Sequence, residues 1–139
     1  MPGPRRRIDP GAGRAALAAW LADPDAADRA DVATAVRFTL QHLAEIAPGG
    51  TVEVRVPPYA VVQCVEGPRH TRGTPPNVVE TDARTWLALA TGRTRWADAV
   101  AAGRVHASGN RADLAPYLPL RLDPDPADAG PAGAGTVGG

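Results

Sequence analysis

The apolar positions of the chain first recur at helical spacing. Asp9 followed by Pro10 marks a helix start: the carboxylate can accept from free amides, and proline gives up an amide that the first turn leaves unpaired. Ala15, Leu17, Trp20 and Leu21 give this first helix its apolar side. Asp23 and Pro24 repeat the signal, so they are expected to end that helix and open a longer one. Its stripe is Val32, Val36, Leu40, Leu43 and Ile46, and Pro48, Gly49 and Gly50 stop it.

From Thr51 the period changes to two. Val52, Val54 and Val56 alternate with Glu53 and Arg55, the pattern of a half-buried strand. Pro57 and Pro58 force a turn, after which Ala60, Val62 and Cys64 predict a second strand antiparallel to the first. The stretch from Glu66 to Pro76 reads as a loop with room for a short edge strand near 69–71, and Asn77 to Thr81 as a further strand.

Thr81 or Asp82 can cap the next helix, which carries Trp86, Leu87 and Leu89 and ends at Gly92. Thr94 is expected to cap a shorter one with Trp96, Ala99 and Val100, ending at Gly103. Arg104 to Ser108 predicts the last strand, and Asn110 is expected to cap a closing helix bearing Leu114, Tyr117 and Leu118. The order α α β β β α α β α predicts an α/β (α+β) fold. Its sheet is mixed, of four or five strands, mostly antiparallel and covered on one face by helices.

Composition sets the limits of that domain. Of 139 residues, the stretch 123–139 is dominated by Pro, Gly, Ala and Asp and is expected to be disordered; 1–8 is expected to be a flexible end, which leaves 9–122 as one domain. The 15 basic residues, all arginine, balance 15 acidic ones, so no net field draws the molecule to nucleic acid or anionic lipid. No window approaches the roughly 20 apolar residues of a membrane span, and Arg5, Arg6 and Arg7 precede no apolar run. A cytoplasmic protein without stable membrane insertion is expected.

Reactive chemistry finds little support. His42, His70 and His106 lack the close spacing of metal ligands, so no metal is expected. Cys64 stands on the apolar side of its strand, where burial keeps a thiol protonated. Ser108 has no nucleophile-elbow context, and no glycine-rich phosphate loop occurs, so no cofactor is expected. Glu80 and Asp82 share a strand end, where capping accounts for Asp82; with His106 and Arg104, Glu80 is the sole enzymatic alternative. The arginines at 69, 72, 93, 95 and 104 bracket the crossover and, clustered, would suit a carboxylate or phosphate head group; separately they are solvated charges.

From Thr81 to Leu118 the spacing resembles the sterol carrier protein family, specifically its type 2-like domain. Thr81, Asp82, Trp86, Leu89, Gly92 and Arg93 match a strand end, an aromatic helix and a Gly-basic stop. Ala99, Gly103, Arg104, Val105, Gly109 and Asn110 match the next helix end and strand, and Leu114 and Leu118 follow. The same pattern is similar to the small accessory domain of mycothiol-dependent isomerases, whose catalytic bundle this sequence lacks. The resemblance implies a non-enzymatic protein with a cavity between sheet and helices for a fatty acid, acyl thioester or sterol-like lipid. Its wall would comprise Val54, Val56, Val62, Val79, Trp86, Leu89, Trp96, Val100 and Val105, with His106 as the histidine nearest a ligand. The alternative is a protein-interaction or accessory domain whose core is filled by those same side chains and whose sheet edge or helix face meets a partner. Neither oligomeric state nor ligand identity follows from the residues.

Overall fold

The computed structural model describes residues 7–67 and 76–122, so the expected edge strand near 69–71 and the tail at 123–139 lie outside the described residues. The elements run α1 (Pro10–Ala22), α2 (Arg29–Ile46), β1 (Val52–Val56), β2 (Ala60–Cys64), β3 (Asn77–Thr81), α3 (Ala83–Thr91), α4 (Trp96–Ala101), β4 (Val105–Ser108) and a closing 3-10 turn (Ala115–Tyr117). The described strands form one sheet in the order β2-β1-β3-β4. β1 pairs antiparallel with β2 and parallel with β3, while β3 pairs antiparallel with β4. This is the mixed, one-side-covered α+β fold that the patterning predicts.

The first cap forms as expected: the Asp9 carboxylate accepts from the Ala12 amide at 3.0 Å. The second differs. Asp23 and Pro24 end α1 but do not open α2, whose N-cap is Asp28, accepting from the Asp31 amide at 2.8 Å. Asp23 instead closes a short turn, its carbonyl accepting from Ala26 and Ala27. α1 buries Gly13, Ala16, Leu17 and Trp20 while Ala15 faces out. Gly13 lets α1 close on α2, since a Cβ there would overlap the Phe38 ring.

On α2, Val36, Leu40 and Leu43 are fully buried, whereas Ile46 at its last turn is 47% exposed. Gly49 then turns the chain at φ +145°, where a side chain would run into the Val65 carbonyl. Val65 itself has φ +69° and is tied on both sides: its amide donates to Ala47 at 2.6 Å and its carbonyl accepts from Thr51 at 3.0 Å.

Two helical expectations need correction. α4 begins after Arg95 with no side-chain cap, so Thr94 does not serve there. Asn110 caps no closing helix: the Asn77 carboxamide accepts from the Arg111 amide at 2.9 Å, and only one 3-10 turn follows, its Ala115 amide held by Asp113. Pro116 and Pro119 explain the short element, because each lacks an amide and restricts the residue before it. Leu114 and Leu120 are nevertheless buried, so this segment closes the core by packing.

Candidate functional site

The register of the sheet sorts the nominated wall residues by face. Val54 faces Val62 on one side and Val79 on the other, and Val79 faces Ala107, making one row across all four strands on the face the helices cover. Val54, Val56 and Val79 are buried in the middle of that face, Val105 nearly so, and Val62 is half-buried at the β2 edge. Trp86 and Leu89 of α3 meet the same core, and Trp96 packs on its margin. Val100 of α4, expected in the wall, is instead 40% exposed.

His106 stands apart from the wall. It is opposite Glu80 on the uncovered face, in a row with Arg55 and Val61. On that face Arg55 pairs with Glu53 and reaches Glu80 at 3.8 Å, while Gln63 donates to Glu53 at 2.7 Å. Both carboxylates favour the charged guanidinium, Glu53 most, and raise its pKa. Glu80 and His106 are opposite each other in the register, as the enzymatic alternative would need, but the Arg104 carbonyl is bound by the Thr81 hydroxyl and its side chain lines a different cleft.

Where sheet meets helices, the interior is held by a polar contact that periodicity does not show. The Trp86 Nε1–H donates to Thr39 Oγ1 at 2.8 Å, and the Thr39 hydroxyl donates to the Ala35 carbonyl at 2.8 Å. Both residues are fully buried. A buried indole without an acceptor would carry an unsatisfied donor, so Thr39 fixes where α3 sits on α2. His42, one turn on, has its Nε2 enclosed without a hydrogen-bond partner among the described residues.

Open space lies at the margins of the helix-covered face. A groove of about 430 Å³ runs between α2 and β2, with Leu40, Ala44, Ala60 and Val62 as apolar wall, Gln41 and the outer-face edge residues Val61 and Gln63 beside them, and Arg7 and Arg37 at its rim. Arg37 donates weakly to the Tyr59 carbonyl at 3.4 Å, and Arg7 pairs with Glu45. Of the residues nominated from sequence, Val62 alone lines this groove. From the sequence, Leu40 reads only as part of the long helix's apolar stripe.

A family model described as "Bacterial SCP ortholog" matches residues 28–120. The chain belongs to this bacterial sterol carrier protein-like family. The match to the bacterial SCP orthologs opens at Asp28, the N-cap of α2, and closes at Leu120, the last buried leucine. α1 therefore lies ahead of the family region and packs onto it through Gly13 and Phe38. Comparison with curated proteins returns no match. Among the described residues no helix is long and apolar enough to cross a membrane.

Cys64, beside Val62 on the covered face, is fully buried, and burial pushes its thiol from the ordinary 9.0 up to about 11. The native state thus keeps a proton that the unfolded chain loses. This contribution to stability is intact below pH 9 and falls away as pH rises through 11. At pH 8 a disulfide reagent is expected to react with native Cys64 at least about a hundredfold more slowly than with the urea-unfolded chain, as two pKa units of thiolate depletion require. Equal rates would mean that β2 opens freely.

Proposed function

We propose that this protein is a non-enzymatic carrier that binds or transfers an apolar small molecule, a fatty acid, acyl thioester or sterol-like lipid, in the groove between α2 and β2. The observation that carries the reading is the groove itself. It lies where helix and sheet part, its wall is largely aliphatic with Gln41 and Gln63 beside it, and two arginines stand at the rim where a carboxylate or thioester carbonyl would end. Its volume of about 430 Å³ falls within the roughly 300–1,000 Å³ of small-molecule sites. Enclosing an alkyl chain yields roughly 25 cal/mol per Å² of apolar surface removed from water, enough for affinity without directed bonds. Membership of the bacterial SCP orthologs supports the same reading.

Displacement of a fluorescent fatty acid by unlabelled lipid tests it. Saturable binding is expected, and Val62→Glu, which sets a carboxylate among the aliphatic wall, is expected to weaken it about tenfold or more while circular dichroism stays unchanged. Ser108→Ala, at the far edge strand, leaves binding as it is. The second reading, an accessory or interaction domain, draws on the filled interior around Trp86, Leu89 and Val79. It takes over when fatty acids, acyl thioesters and sterols all fail to displace the probe and native mass spectrometry finds no co-purified apolar mass.

A further inference from the structure

Two of the crossover arginines, Arg93 and Arg104, share one cleft with Arg84. Arg84 at the start of α3, Arg93 in the turn after it and Arg104 just ahead of β4 line a depression of about 560 Å³ together with Trp20, Asp82 and Thr94. The cleft lies by β4, and the apolar groove by β2, at opposite edges of the sheet.

Its charges are not mutually cancelled. Asp82, the one carboxylate in the lining, has both oxygens engaged by Thr85: one accepts the amide at 2.8 Å, the other the hydroxyl at 3.0 Å. Arg93 is held in place, donating to the Leu21 carbonyl at 2.7 Å with its guanidinium over the Trp20 ring, 5.5 Å from the centroid. Trp20 is buried, so the stack fixes the direction of the remaining N–H groups without costly ordering on binding. Arg84 pairs with Asp25 at 2.6 Å, but these side chains are 64% and 79% exposed, and such a pair yields readily to a better acceptor. The exposed Arg104 side chain has no partner among the described residues.

We propose that this cleft is an anion site that takes a phosphate ester group. Several guanidinium forks from different elements exceed what one carboxylate can satisfy, whereas a phosphate offers three oxygens and up to two charges. The Thr94 hydroxyl supplies a neutral donor in the same lining. A soluble ester and a lipid head group both bear such a phosphate and share this chemistry.

Calorimetric titration of the full chain with inorganic pyrophosphate is one arm of the test; co-sedimentation with phosphatidic acid vesicles, against phosphatidylcholine vesicles at equal ionic strength, is the other. Saturable binding that weakens with salt is expected in at least one arm, and Arg104→Ala is expected to reduce it about tenfold or more. Arg104→Lys, which keeps the charge but not the fork, falls between. Arg29→Ala, at the start of α2, changes nothing. Arg104 is exposed, so its variants report binding and not folding. Val62→Glu leaves pyrophosphate binding unchanged, which separates this site from the apolar groove. Pyrophosphate binding alone assigns a soluble phosphate ligand, and vesicle binding alone a head group. Absence of binding in both arms, or binding that Arg104→Ala leaves intact, overturns the proposal.

Discussion

Trp86→Ala is expected to remove about 3–5 kcal/mol of folding stability, read as a large fall in the urea midpoint at an unchanged slope. The indole is fully buried against α2, and the truncation leaves a cavity that rigid neighbours cannot collapse into. For a domain whose total stability is about 5–15 kcal/mol, that loss is a large share of the whole. Two milder variants separate packing from hydrogen bonding. Trp86→Phe keeps most of the volume and leaves Thr39 still donating to the Ala35 carbonyl, so only its acceptor role lapses. Thr39→Val strands the indole N–H in the core and is expected to cost about 1–3 kcal/mol. Equal stability of Thr39→Val and the parent would show that the indole donor finds another acceptor.

Gly49→Ala is expected to cost about 3 kcal/mol, although it adds one methyl group at the surface. At φ +145° the residue occupies backbone space that L side chains rarely adopt, and the new Cβ would overlap the Val65 carbonyl that already accepts from Thr51. Gly50→Ala is the matched control, since a Cβ there meets nothing within 4 Å. Urea denaturation of the pair is expected to show a large loss for the first and almost none for the second. Similar curves would mean that the corner can relax.

Periodicity and capping chemistry made most of the fold legible. The alternation of Val52, Val54 and Val56 and the Asp82 cap identify elements the structure contains at those positions. Where the structure departs from the pattern, a local signal yields to a tertiary one. Asp23-Pro24 has the chemistry of a helix start, yet the helix begins where Asp28 meets a longer apolar stripe. Asn110 has the chemistry of a cap, but Asn77, remote in sequence, holds the neighbouring amide. The parallel pairing of β1 with β3 has no signature in either strand.

The candidate site was less legible than the fold. Apolar strand residues announce burial but not whether a neighbour fills the space beside them, so Val54, Val79 and Trp86 read equally as wall or as core. The α2–β2 groove arises where an edge strand lies beside a helix, and that follows from strand order alone. The crossover arginines carried a clearer hint, since Arg93 and Arg104 flank one short helix and fall on one cleft. Arg95, between them in sequence, does not join its lining.

The strand order also bears on how the chain reaches its shape. β1 and β2 meet across a tight proline turn, whereas β3 docks on the far flank of β1, matching Asn77 to Val52 in parallel. Ring closure through a whole hairpin is entropically demanding, and parallel partners reward it late. The central seam of the sheet is thus far less local than the hairpin beside it, and substitutions along it will slow assembly more than comparable changes inside the hairpin.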